Sequence, residues 1–142
     1  MKNSKEILSS VLKTTQMGQV GIRSVLDTSM RPALRKALES QLREYDTLET
    51  EAHYIASQRG WDLPELDPAV RFAADRMTRM KLHKGNSDSR IAEMMIQGNT
   101  KGMVKGTRNL HQMAESDQNV RTICQKLLDC ENANIRQMQP FL

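Results

Sequence analysis

The chain has 142 residues and a formal net charge of +4, with 38% of its residues hydrophobic and 27% charged. This length fits one domain that buries most of its core without disulfides or metal ions. Seven glycines, four prolines and few aromatic residues favour helices over sheets. No apolar run has the length of a membrane span, and the amphipathic N-terminus lacks the apolar core of a signal peptide. The expected compartment is therefore the cytoplasm, with no membrane partner.

The first part of the chain predicts a helical hairpin. Apolar residues at helical spacing predict one helix over residues 4–27 and a second over residues 32–59. Ser29 is expected to cap the second helix, and Gly60 is the residue type that commonly ends one. Because the connection is short, the two helices should be antiparallel neighbours.

A connector and a shorter third helix follow the hairpin. Residues 60–67, GWDLPELD, form the connector, and its Trp61 is expected to plug one end of a bundle. Asp67 and Pro68 have the N-cap-plus-proline pattern that restarts a helix, and residues 84–86 should end it. The residues of this helix expected to face the core are Val70, Ala73 or Ala74, Met77 and Met80.

Two further helices form a second predicted hairpin. Ser87 opens a proline-free helix that continues to about Met113, and a last helix follows a break at residues 115–117 and continues to about Gln139. Two hairpins joined by a long crossover are the ferritin-like arrangement of a four-helix bundle. The alternative is a plain five-helix bundle, and the hydrophobic pattern does not separate the two.

Glycines recur on the inner faces of two predicted helices. Each mid-helix glycine costs roughly 1 kcal/mol relative to alanine, so the pattern needs a compensating role. We expect these glycines to let helix backbones pack closely, either inside the bundle or at a subunit interface, and we expect a homodimer. The helix-packing glycines are Gly18, Gly21, Gly98, Gly102 and Gly106.

Three segments carry a resemblance to a known group of proteins. The segments SDSRIAEMMIQG (87–98), CENANIRQMQPFL (130–142) and GWDLPELDP (60–68) resemble small ferritin-like proteins of Firmicutes, a group similar to the spore-coat F family. The similarity covers most of the chain. It implies the ferritin-like fold, an association with sporulation and a spore-coat or other protein partner, but no settled activity.

A di-iron site of the ferritin-like type would need a carboxylate on two helices and a Glu-x-x-His pair on the other two. That set is incomplete here. Glu49 has no histidine three residues later, and Glu131 is followed at that spacing by Asn134. The first and fourth helices offer amides at the corresponding places. Amides are weak ligands for iron or zinc, so no metal or other cofactor is expected.

We interpret these residues as a degenerate site, buried and satisfied by hydrogen bonds without a metal ion. Two neighbouring carboxylates repel unless they are protonated, paired or bridged by a cation. The alternatives are therefore a weak or unusual metal site at Glu49 and Glu131, or full exposure of these groups. The expected polar cluster consists of Gln19, Tyr45, Glu49, Asn99, Glu131 and Asn134.

The remaining candidate residues each have a simpler explanation. His53 with Glu49 predicts a surface ion pair more readily than a ligand pair, and the other two histidines are expected at the surface. Cys124 and Cys130 lie too far apart in a helix to pair with each other and have no zinc pattern around them. Soft copper ligation by the methionines is possible in principle, but their positions favour packing. The methionines in question are Met77, Met80, Met94, Met95 and Met103. The two histidines expected at the surface are His83 and His111.

The sequence therefore predicts a non-catalytic bundle with a structural or interaction role. It contains no Ser-His-Asp or Cys-His arrangement and no glycine-rich phosphate loop. One rival is an oxidase- or storage-type protein with a modified metal centre at Glu49 and Glu131. Another is a module that binds nucleic acid or an acidic partner through a basic third helix, although solvated surface is favoured. The basic residues are Arg71, Arg76, Arg79, Lys81 and Lys84.

Overall fold

The computed structural model describes residues 1–83, 87–114 and 116–142, and these residues form five α-helices and one short 3-10 helix. Beyond an isolated β-bridge between Lys2 and Met113, they form no strand. The all-α prediction is confirmed. Within the described ranges, no helix is long and apolar enough to cross a membrane. The helices are α1 (Ser4–Leu26), α2 (Pro32–Gln58), α3 (Pro68–His83), α4 (Asp88–Gln112) and α5 (Gln118–Met138), and the 3-10 helix is Gln139–Phe141.

Local signals explain most of the helix ends. Gly60 adopts the positive φ of 65° that commonly ends a helix. The Ser87 side chain accepts a hydrogen bond from the backbone N–H of Arg90 and so caps α4, as predicted. The expected Ser29 cap on α2 is wrong. The N-cap residue is Arg31, whose side chain makes no capping bond, because a proline follows at the first helical position and has no N–H to satisfy.

The two predicted hairpins are present. α1 packs along α2, and α4 packs along α5, while α2 with α5 and α1 with α4 and α5 close the bundle. The contact between α1 and α4 is much less extensive than the contact within either hairpin. Burying one large apolar side chain contributes about 1.5–3 kcal/mol, so the shared core is the main source of stability. Its fully buried members include Ile7, Leu8, Leu12, Leu34, Leu38, Ile91, Ile123 and Met138.

The predicted inner face of α3 is wrong. Val70, Met77 and Met80 are 45%, 59% and 62% exposed, Ala73 is exposed as well, and the alternative Ala74 is half-buried. Leu82 is the residue of α3 that the core buries.

Polar contacts with α1 and its C-terminus determine how α3 is rotated. The Asp75 carboxylate accepts a hydrogen bond from the Ser24 hydroxyl, and Arg79 pairs with Asp27 at 2.8 Å. These bonds turn the face of α3 that carries Asp75 and Arg79 toward α1, and Met77 and Met80 stay largely exposed to solvent. The predicted end of this helix at residues 84–86, and Glu115 in the break before α5, lie outside the described residues.

Trp61 is half-buried against the core, with the Arg59 guanidinium 5.0 Å from its ring centroid. The cation and the ring face attract each other in this geometry. The connector therefore packs onto the end of α2, where Trp61 was expected.

Candidate functional site

The centre of the bundle contains a buried network of four polar side chains from three helices. Tyr45 of α2 is 3.0 Å from Asn99 Oδ1 of α4 and 3.2 Å from Glu131 Oε1 of α5, measured from its hydroxyl oxygen. Asn134 donates from Nδ2 to the Tyr45 oxygen and to Asn99 Oδ1, both at 3.4 Å. Asn99 donates its own amide N–H to the Met95 carbonyl at 2.8 Å. This tyrosine network ties α2, α4 and α5 together, because polar groups this deep must be paired with one another.

Glu131 is the acidic member of the tyrosine network. Only 2% of its surface is exposed. Burial raises its pKa to about 8, although the Tyr45 hydrogen bond acts in the opposite direction. The carboxyl group is therefore mostly protonated at neutral pH, and its proton gives it a hydrogen bond to donate. Asn134, three residues later, is hydrogen-bonded within the same network.

Glu49 belongs to a separate network at the surface of the bundle. It accepts hydrogen bonds from Gln16 Nε2 at 3.0 Å and from Gln19 Nε2 at 3.3 Å, and Gln19 also donates to Asp46 at 2.9 Å. Partial burial pushes the Glu49 pKa upward, but these two amide donors, with the charges of His53 and Arg71, lower it overall. Glu49 is therefore ionised at neutral pH.

The six residues of the expected polar cluster thus divide into two groups. Tyr45, Asn99, Glu131 and Asn134 meet as expected, whereas Gln19 and Glu49 hydrogen-bond to each other and not to the first four. Within the described part of the chain, no group of three or more His, Cys, Asp or Glu residues is placed to hold a metal ion. A protonated carboxyl with a phenol and two amides is a poor donor set for iron or zinc.

The expectation that the glycines bring two helix backbones together inside the bundle is wrong. A Cβ added at Gly21 or Gly98 would meet nothing within 4 Å. At Gly18 it would lie 2.6 Å from Cζ of Tyr45, and at Gly102 it would lie 2.8 Å from the Glu131 carboxyl. The neighbours are therefore side chains of the tyrosine network, not another backbone.

Gly106 differs from the other four glycines. An added Cβ there would make ordinary contacts with Leu128 of α5, at 3.8 Å and 3.9 Å. It is buried between α4 and α5, so its side of α4 packs normally.

The other four glycines line an open cleft between α1, α3 and α4, with a volume of about 520 Å³. Ligand pockets in proteins span about 300–1,000 Å³, so the cleft has the size of a small-molecule site. Gln41, Tyr45 and Glu131 contribute to its lining from α2 and α5. The apolar part of the lining includes Met17, Ile22, Met77, Met94 and Met95. Four lysines, here called the lysine rim, also line it: Lys13, Lys81, Lys101 and Lys105.

The remaining predicted candidates lie away from the tyrosine network. His53 is exposed and pairs with Glu65 at 3.2 Å, not with Glu49 as expected. His83 and His111 are exposed, as predicted. Cys124 and Cys130 are free and buried, and burial raises the pKa of both thiols.

The arginines of α3 are largely engaged within the chain. Arg79 pairs with Asp75 and Asp27, and the guanidinium of Arg76 lies 5.8 Å from the Phe72 ring centroid. Of the predicted basic residues, Lys81 lines the cleft and Lys84 lies outside the described residues. These contacts favour the interpretation of α3 as a solvated surface whose arginines are paired within the chain.

The sequence interpretation missed Gln41 and the cleft. Gln41 is 2% exposed and lies at a core position of α2, three residues after Leu38 and four before Tyr45. A glutamine at helical spacing between two core residues was the available signal. Its Nε2 donates to Gln137 at 2.7 Å, but its Oε1 is buried without a hydrogen-bond partner among the described residues.

Comparison with known proteins leaves the chain without a match. No family model, no curated protein and no solved structure matches it. The ferritin-like assignment therefore stays an expectation. A bundle architecture would not fix the function in any case, because one fold hosts unrelated activities.

Proposed function

We propose that this protein is a non-catalytic, ferritin-like helical bundle that acts in a structural or interaction role. Its interior holds a hydrogen-bonded tyrosine, two amides and a protonated carboxyl where a di-metal protein would hold its ligands. The observation that carries the proposal is the tyrosine network, whose members satisfy one another across three helices. The connectivity of two hairpins with a long crossover supports the ferritin-like assignment.

The chemistry of the side chains also supports a role without catalysis. Buried thiols with raised pKa values are poor nucleophiles, because the thiolate is the reactive form. Glu49 and Glu131 are hydrogen-bonded in separate networks and do not form an acid–base pair. Glu49 and Glu131, whose pKa values are shifted, are therefore hydrogen-bonded to other side chains of the bundle.

Metal analysis tests the proposal. Protein purified without a metal-binding tag is expected to contain far less than one equivalent of iron, manganese or zinc. Added metal ions are expected to leave the melting temperature unchanged, because only a ligand that binds the folded state stabilises it.

A near-stoichiometric metal that is lost in Glu131→Gln would contradict the proposal and support the metal-centre alternative. The Glu49→Gln variant tests whether the other carboxylate also contributes to metal binding. Loss of metal in both variants would place a shared site between them, which the two separate hydrogen-bond networks argue against.

The homodimer remains a prediction, as does a spore-coat or other protein partner. Light scattering across a concentration series tests the first, and extraction of the protein with the coat fraction of a sporulating host tests the second. A monomer at every concentration would count against an assembly role.

A further inference from the structure

The cleft combines four features, each on different residues. It is of ligand size, its walls are largely apolar, its rim is cationic, and one of its lining side chains has a polar atom with no hydrogen-bond partner among the described residues.

Glycines keep the cleft open. Gly21 on α1 and Gly98 on α4 have free space where a side chain would project, so larger residues at these positions would fill the cleft. Each mid-helix glycine lowers helix stability relative to alanine. At these two positions the lost helix stability is not offset by a close packing contact, and the result is open space.

The lysine rim gives the entrance of the cleft a positive charge. Its four lysines have no ion pair or side-chain hydrogen bond with any described residue. Glu131 is the acidic residue in the lining, and its carboxyl is mostly neutral at pH 7. Its charge therefore does not cancel that of the lysine rim, and the cleft attracts anions.

Gln41 is a buried residue in the lining of the cleft. Its Nε2 is held by Gln137, while Oε1 has no donor among the described residues. A buried acceptor without a donor destabilises the folded state. Because Oε1 has almost no exposed surface, a ligand N–H or O–H group pairs with it only when the Gln41 side chain turns toward the cleft.

We propose that the cleft between α1, α3 and α4 binds a small amphipathic anion. The anionic group lies at the lysine rim, the apolar body lies over the glycines and against the methionines, and a donor group reaches Gln41. This goes beyond the structural or interaction role proposed above and does not depend on whether the interior is free of metal.

Anilinonaphthalene sulfonate is a suitable probe, because it joins an apolar aromatic body, a sulfonate and an N–H donor. N-phenyl-naphthylamine has the same rings and the same donor without the charge. Both are fluorescent in apolar surroundings, so titration gives affinity and stoichiometry. We expect the sulfonate probe to bind the folded protein at one site per chain and more tightly than the uncharged probe.

Charge variants test the lysine rim. Lys101→Glu/Lys105→Glu is expected to weaken sulfonate binding by roughly tenfold or more and uncharged-probe binding by less than about twofold. Lys5→Glu/Lys36→Glu is the control: it makes the same change in net charge on exposed residues outside the cleft. An equal loss in both double variants would show non-specific charge attraction and would overturn the proposal.

Filling variants test the cleft itself. Gly98→Leu and Gly21→Leu are each expected to abolish binding of both probes while leaving the helical fold intact or more stable, as circular dichroism melts would show. Thr100→Leu places the same side chain at an exposed position of α4 outside the cleft and should bind like wild type. Unchanged binding in both filling variants would overturn the proposal.

Two other results would also overturn it. One is the absence of saturable sulfonate binding to the folded wild-type protein. The other is a wild-type oligomer that Gly98→Leu converts to monomer, because the cleft would then be the interface between two copies of the chain. Metal analysis of the same preparations tests the proposed function separately, so the two ideas can fail independently.

Discussion

Glu131 is a buried carboxyl group whose pKa is raised in the folded protein. Its pKa is 4.5 in water and about 8 in the folded protein, chiefly because burial disfavours the charged form. Between these values the folded state binds more protons than the unfolded state. The stability that the protonated form contributes is complete below about pH 4.5 and is lost as pH rises toward 8.

We therefore expect Glu131→Gln to differ from wild type mainly at high pH. The amide can take the place of the protonated carboxyl without titrating. In urea unfolding, the stability of this variant relative to wild type should rise by a few kcal/mol between about pH 5 and pH 8.5, since one pKa unit corresponds to about 1.4 kcal/mol.

Glu49→Gln is the matched control for that experiment. The pKa of Glu49 is lowered, so its contribution is present above its unfolded pKa and is lost only in acid. The difference in unfolding free energy between Glu49→Gln and wild type should therefore stay constant between about pH 5 and pH 8.5. Parallel pH profiles for wild type and Glu131→Gln would show that the Glu131 pKa is not raised.

Two glycines three residues apart in α1 give opposite predictions. Gly21→Ala adds a methyl group in open space and should stabilise the protein by up to about 1 kcal/mol through helix propensity. Gly18→Ala places Cβ 2.6 Å from the buried ring of Tyr45, and such overpacking costs about 1–3 kcal/mol. Chemical denaturation of the two variants measures the difference, and stabilisation by both would contradict the close contact at Gly18.

At the scale of elements, one ion pair joins the end of α2 to the start of α5. Arg59 pairs with both carboxylate oxygens of Asp117, and Asp117 also caps α5 by accepting from the Val120 N–H at 3.3 Å. The Arg59 hydrogen bonds hold the Asp117 pKa well below its usual range. Asp117 therefore has two roles, in the cap and in the ion pair.

Substitution separates those two roles. Asp117→Ala removes both and should destabilise the protein by about 2 kcal/mol. Asp117→Asn keeps a capping oxygen but loses the charge, so its loss should be about half as large. Thermal unfolding compares the two variants, and equal losses would mean that the cap contributes little.

The hydrophobic pattern of α3 predicted the helix but not the face that packs against α1. Its apolar residues have helical spacing, and this correctly predicted a helix. The face that meets α1 was decided by hydrogen bonds and ion pairs from Asp75 and Arg79 to residues about fifty positions away. No periodicity in α3 itself encodes those partners.

At the scale of the whole molecule, the important feature is the space left between α1 and α4. Each hairpin is tightly packed, and the tyrosine network joins α2 to α4 and α5. Beside this network lies the cleft, where Gly21 and Gly98 border free space and Gly18 and Gly102 contact network side chains. The bundle is therefore open at the cleft between α1, α3 and α4, and this opening carries the lysine rim.

The five helices, most of their ends and the two hairpins could be predicted from the sequence, because capping, glycine and proline signals and apolar spacing act within a few residues. The sequence also identified Tyr45, Asn99, Glu131 and Asn134 as polar residues on inward faces. The three-dimensional packing was needed to show that Glu49 belongs to another network, that Gly21 and Gly98 border open space, and that Gln41 Oε1 has no donor among the described residues. Those outcomes depend on how far apart helices settle and how they rotate, which is set by contacts between residues distant in the chain.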